Sequence, residues 1–147
     1  MSEDEAFAFL AAQRFGVIGT VGLDGLPHMV NVGYLLDGRR VVFTSFAAAQ
    51  KIKNIQRTGQ ASLLAEIPWP YNEIQGVLLS GPTTIVSDTD HVIAVTSQMK
   101  NLHAEMSDTT EGTPEIDVAR YAAKRVAVYI DAARLVSWDH RRLGGTY

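Results

Sequence analysis

Between Thr44 and Arg57 a β-forming run ends in two hydroxyls, Thr44 and Ser45, and passes into an amphipathic stretch whose first turn carries Gln50 and Lys51. Free N–H groups and the positive dipole end of a helix attract phosphate, by about 0.3–1 kcal/mol at an exposed site and up to ~2 kcal/mol when partly buried. A lysine adds a point charge and the hydroxyls add donors. Those residue types in that order make a phosphate cradle. Lys51, Lys53 and Arg57 also read as an ordinary solvated helix face, and composition alone does not choose between the two. The setting favours an anion either way: from Gly38 to Ala65 there are five basic residues (Arg39, Arg40, Lys51, Lys53, Arg57) and no acid.

Other chemistry finds less support. Gly16, Gly19, Gly22 and Gly25 lack the G-x-G-x-x-G order and open no helix, so they read as turn and bulge glycines. His28, His91, His103 and His140 do not fall at metal-ligand spacing. No G-x-S-x-G elbow presents a serine nucleophile. The absence of cysteine removes thiol nucleophiles, thiolate zinc sites and iron–sulfur clusters, and fits a reducing compartment. A net charge of −3 argues against a nucleic-acid coating role. The acidic start, with no basic-then-apolar leader and no later run of about 18 apolar residues, leads to the expectation of a cytoplasmic protein without membrane contact.

The 147 residues, 46% hydrophobic with mean hydropathy near zero, suit one globular domain over 1–147. Ser2 and Glu5 form a capping box before a short helix to about Gln13. Strands are expected at Phe15–Val21, Met29–Leu36 and Val41–Ser45, joined by Asp24-Gly25 and Asp37-Gly38 turns into a meander. A helix follows from Phe46, with Gly59 as its C-terminal cap. Ala61–Ala65 and Gln75–Val86 are strands, the second interrupted by a bulge or edge at Gly81-Pro82. Val92, Val95, Met99 and Leu102 mark a helix from Asp88 to Met106. Ser107–Pro114 reads as a surface loop, followed by a short helix to Ala123 and one last strand from Arg125 to Trp138. Hairpin-length links forbid a doubly wound parallel sheet, which leaves a mainly β, mostly antiparallel barrel with helices at its openings.

Gly25–Val32, Val41–Ser45, Gln50-Lys51 and Thr58–Leu64 together resemble the first half of the pyridoxamine 5′-phosphate oxidase-like flavin-binding split barrels. Gln75–Gly81 resembles the next strand of that family, and Ser137–Leu143 its C-terminal tryptophan-and-arginine segment. The resemblance implies a homodimer with two sites at the subunit boundary, each holding FMN or the deazaflavin coenzyme F420. It implies that Met29, Val30, Asn31 and Val32 lie along the ring, that Thr44, Ser45, Gln50 and Lys51 hold the phosphate, and that Gln75 and Trp138 border the ring, in one arrangement from the other subunit. Val30 stands where pyridoxamine phosphate oxidases carry arginine, and their C-terminal Arg and His pair is not reproduced, which argues against vitamin B6 oxidation. The Ser-Trp-Asp-His ending and the neutral strand are more similar to the F420-dependent branch.

The implied activity is hydride transfer between F420, or alternatively FMN, and a small unsaturated or conjugated substrate. Trp138, Trp69 and Tyr71 are candidates for an apolar wall, though the latter two also read as loop anchors and Trp138 as a core or interface residue. No acid or base is assignable beyond His28 or His140 as proton donors, and a satisfied structural histidine is the commoner case. A rival reading is a binding module that carries deazaflavin, FMN or haem without turnover.

Overall fold

The computed structural model describes residues 1–106 and 117–143, with side chains described as far as Leu102 and again from Asp117. Helix α1 (Glu3–Ala12) starts at the expected capping box: the Ser2 hydroxyl accepts from the Glu5 N–H while the Glu5 carboxylate accepts from the Ser2 N–H. The remaining order is β1 (Phe15–Val21), β2 (Pro27–Gly33), β3 (Leu35–Asp37), β4 (Arg40–Phe46), α2 (Gln50–Thr58), β5 (Gln60–Ile67), β6 (Gln75–Val86), α3 (Thr89–Met106), α4 (Val118–Ala122), β7 (Arg125–Asp131) and β8 (Arg134–Asp139). Short 3-10 turns lie at Tyr71–Glu73 and His140–Arg142. The strands pair antiparallel in the order β2-β1-β5-β6-β7-β4-β3, with β8 also on β6. The fold is a mainly β split barrel, as the sequence leads one to expect.

Two expected strands are each divided. Met29–Leu36 breaks at Tyr34, so β2 pairs with β1 while β3 pairs with β4, and no meander of three forms. Tyr34 is the pivot. Its N–H donates to the Arg14 carbonyl, and its buried hydroxyl donates to the Leu10 carbonyl at 2.8 Å. Burial pushes the phenol pKa upward against the opposing pull of Arg14. The segment Arg125–Trp138 likewise turns at Ala132-Ala133, where the Ala133 N–H bonds the Asp131 carbonyl. Residues 107–114, read as a loop, lie outside the described residues.

The Gly81-Pro82 interruption is a corner in a continuous strand. Strand β6 pairs with β8 up to Ser80 and with β7 from Thr83, while β5 accompanies it through Pro82. One long strand thus carries the two halves of the barrel. Inside it, Ile18, Phe43, Ile52, Ile55, Leu63, Leu79 and Ile130 form the main core, which α1 and α2 close. A second core under α3 contains Leu35, Val42, Val92, Ala127 and Tyr129. Alternation along β4 divides its side chains between the two cores, as a strand buried on both faces requires.

The chain ends are clamped by charge. Asp139, whose side chain is only 2% exposed, accepts two bonds from Arg141 at 2.8 and 2.7 Å, and Arg142 bridges Asp139 to Glu5 of α1. Hydrogen bonds from Arg142 and from the Ser2 N–H hold Glu5 at about 2, and the Arg141 bonds hold Asp139 at about 2. Both folded values lie below the usual carboxylate range, so the clamp contributes fully above about pH 4–5 and is lost as pH falls through about 2. The melting temperature should therefore fall as pH drops from 5 toward 2, and Asp139→Asn should flatten that dependence. Equal slopes for the two proteins in scanning calorimetry would refute the clamp.

Candidate functional site

Helix α2 opens without a side-chain cap at Ala49, so the Gln50 and Lys51 N–H groups gain no cap bond while the Ile52 N–H donates to the Ala49 carbonyl, and Gly59 ends it in the left-handed conformation expected of a C-terminal cap (φ 69°). Ile52 and Ile55 bury one side of α2 in the barrel mouth, which fixes the direction of the helix start. Its other anchor is polar. The Gln50 amide donates to Asn54 at 2.9 Å, and the buried Asn54 amide donates to Thr20 at 3.1 Å. Gln50 is thereby turned toward the β1–β2 hairpin, where Gly22–Asp24, Leu26–His28, Gln50 and Asn54 line a pocket of about 440 Å³.

Lys51 stands in a different environment. Burial, and then the positive charge of Arg125, lower its pKa from the ordinary lysine value. Arg125, at the start of β7 and in register with Phe46, is held between two rings, its guanidinium 4.0 Å from the Phe46 centroid and 3.7 Å from that of Tyr121. Burial lowers its pKa too, and its Nε is enclosed without a hydrogen-bond partner. Among the described residues no carboxylate pairs with Lys51 or Arg125. Two partly desolvated cations beside an open helix start form a concentrated positive site, whose energetic cost an anion would relieve.

The strand period separates the two hydroxyls proposed for this cradle. Ser45 is in register with Val126 and is buried on the barrel side, whereas Thr44 is in register with Ala127 on the side that carries Arg125. Only Thr44 therefore stands on the cation face. The sequence reading missed Arg125 because its approach to Phe46 depends on the β4–β7 register.

Strand β2 likewise divides its four candidates. Val32 packs on the core and Val30 lies opposite Ile18, while Met29 (62% exposed) and Asn31 stand on the outer face opposite Gly19 and Val17. That outer face continues through Leu64 and Leu78 to exposed Val136, a row of apolar side chains outside the core. Trp138 lies on the same face and covers Gly76, where an added Cβ would overlap the indole. Gln75, opposite Asp139, is on the alternate side.

Register also shows which candidates the single chain keeps apart. Thr44 aligns through Ala127 with Val86, at the far end of β6 from Gln75. Eleven residue steps of strand, about 36 Å if fully extended, separate those ends along the chain. Gln75 and Trp138 thus sit at the other end of β6 from the position aligned with Thr44. His140 Nδ1 lies 3.0 Å from the Tyr71 carbonyl. A carbonyl can only accept, so Nδ1 carries the hydrogen of this contact. No group of three or more potential metal ligands occurs among the described residues, and no helix there is long and apolar enough to cross a membrane.

The divided sheet and the helix-plugged mouths define a split-barrel protein, with two cations beside the start of α2. Residues 2–139 match the pyridoxamine 5′-phosphate oxidase family, and the chain belongs to that family. A curated relative, an F420H(2)-dependent biliverdin reductase of Mycobacterium tuberculosis, is 31% identical over 96 residues, a match that covers 60% of this chain and 63% of that protein. A conserved hypothetical protein from Mycobacterium tuberculosis has a crystal structure that superposes with a TM-score of 0.83 at 32% identity, over 100% of this chain and 90% of the other. A solved F420 reductase shares the fold, with a TM-score of 0.67 at 20% identity over 88% of this chain and 94% of its own.

Proposed function

We propose that the protein is an oxidoreductase that uses coenzyme F420, or alternatively FMN, to reduce a small unsaturated or conjugated substrate, working as a homodimer. The observation that carries this reading is the pair of uncompensated cations, Lys51 and Arg125, at the uncapped start of α2. Their demand for an anion matches the phosphate common to both cofactors, and the named activity of the curated relative supports the deazaflavin. When bound, such a group supplies hydride chemistry at its ring.

The chain's own residues bind, orient and exclude water. Lys51, Arg125, the first N–H groups of α2 and the Thr44 hydroxyl are the phosphate ligands. Met29 and Asn31 present side chains where the outer face of β2 would flank a ring. The apolar row Val17, Leu64, Leu78 and Val136 needs a cover, and a second copy of the same face provides one. In that dimer, Gln75 and Trp138 of the partner subunit complete the ring site that one copy leaves open.

The test is direct. Purified protein is titrated separately with F420 and FMN, and quenching of cofactor fluorescence reports binding; sedimentation reports the dimer. Reoxidation of the bound reduced cofactor by a panel of quinones and enones then separates turnover from carriage. Micromolar binding of F420 with reoxidation supports the proposal, while absence of binding by either cofactor overturns it. Binding without reoxidation by any acceptor favours the carrier reading.

A further inference from the structure

A second pocket, of about 400 Å³, lies between the end of α1, strand β3 and the later turns of α3. It shares no lining residue with the α2 cradle or with the pocket beneath the β1–β2 hairpin. Its walls divide by chemistry. Leu10, Leu35, Leu36 and Leu102 make an aliphatic floor that is buried or half-buried, and the amides of Gln98 and Asn101 stand at the exposed rim. Among the described residues Arg14 is the one charged residue of the lining, and no carboxylate occurs there.

Arg14 is fixed in place without being neutralised. Its Nη1 donates to the carbonyls of Ala11 and Gln13, while its Nε is enclosed with no hydrogen-bond partner. Arg39, Arg40, Arg141 and Arg142 have carboxylate partners, whereas Arg14, like Arg57, Arg120, Arg125 and Arg134, has none among the described residues. The charge is felt locally, since Arg14 opposes the upward shift of the Tyr34 phenol. Holding a guanidinium by backbone carbonyls satisfies part of its donor set and leaves its charge uncompensated beside an apolar cleft. Ligand sites of this size combine an apolar wall with a small number of fixed polar groups.

We propose that this pocket binds a small monocarboxylate with an aliphatic body, the carboxylate on the Arg14 guanidinium and the chain along Leu10, Leu35, Leu36 and Leu102. A planar guanidinium suits a carboxylate, and the rim amides supply further donors to its second oxygen. The site needs neither the α2 cradle nor a redox cofactor, so it stands or falls separately from the oxidoreductase reading.

The probe is sodium octanoate, with 1-octanol as the uncharged control, added to cofactor-free protein and followed by amide chemical shifts and by calorimetry. Octanoate should bind saturably, with shifts concentrated at residues 10–14, 35–36 and 98–102. Arg14→Gln should weaken it by about ten-fold or more, the scale of a lost charge-assisted pair. Because Arg14 also closes the end of α1, Gln98→Trp provides a second variant: it fills the mouth from an exposed helix position and should abolish binding with the melting temperature unchanged. Scattered shifts, equal affinity for octanol, or full octanoate affinity in Gln98→Trp would each overturn the proposal.

Discussion

Replacing Lys51 by methionine should weaken F420 or FMN binding by about 10–100-fold without lowering the melting temperature of the cofactor-free protein. The affinity loss follows from removing one charge-assisted hydrogen bond to a phosphate, on the order of 1.5–3 kcal/mol. The stability half of the result separates a binding role from a structural one. Lys51 is partly desolvated and faces Arg125, and both influences disfavour its charge. Methionine keeps the aliphatic stem and removes the repulsion, so the empty protein should be equally or more stable, the usual exchange where a site holds like charges for a ligand. Arg125→Ala should weaken binding similarly but also destabilise, because its guanidinium is stacked between Phe46 and Tyr121. Fluorescence titration and calorimetry measure the two halves. Unchanged affinity in Lys51→Met would leave the lysine as a solvated helix residue and remove the phosphate assignment with it.

How far the sequence carries this picture depends on whether a feature is local. The Ser2–Glu5 capping box, the Gly59 C-terminal cap and the bounds of β1 and β6 are set by neighbours in the chain, and each is found as expected. Helix α2 begins at Gln50 and not at Phe46, because Phe46 remains in the β4–β7 ladder opposite Arg125 and the Ala47 N–H bonds the Lys124 carbonyl. Tertiary pairing overrides a run of good helix formers there. The break at Ala132-Ala133 carries no Gly, Pro or Asn signal, and the one at Tyr34 carries only the preceding Gly33. They arise because the chain must change partners between the two halves of the sheet, which no short window of sequence reports.

The same division applies to the site. Lys51 and the start of α2 are adjacent in the chain and therefore legible. Arg125 is remote in sequence and becomes part of the cradle only through the β4–β7 register. Thr44 and Ser45, neighbours in sequence, are parted by the two-residue period of the strand. Gln75 and Trp138 are placed at the same end of β6 by the β6–β8 register, on opposite faces, and at the other end of that strand from the position aligned with Thr44. The proposed dimer is the arrangement that would set them beside Lys51.

Gly81→Ala should be among the most destabilising single methyl additions in the protein, costing on the order of 1–3 kcal/mol or more, the range for forced overpacking. A Cβ at this position would fall on the carbonyl oxygen of Asp131 and reach the Ala133 nitrogen at 3.0 Å. Both obstacles are backbone, and they are tied to each other by the bond from the Ala133 N–H to the Asp131 carbonyl, so no side-chain rotation makes room. The strain must move the β7–β8 turn off β6, just where that strand passes from pairing with β8 to pairing with β7. Two other glycines calibrate the result. Gly19→Ala meets nothing closer than the Ser62 Cβ at 3.9 Å and should be nearly silent. Gly59→Ala has open space but a left-handed backbone (φ 69°), which should cost about 1 kcal/mol. Urea unfolding should therefore rank the midpoints Gly19→Ala, Gly59→Ala, Gly81→Ala in falling order. A Gly81→Ala midpoint level with that of Gly19→Ala would mean that the β7–β8 turn does not lie on β6, and the division of the barrel about one long strand would have to be redrawn.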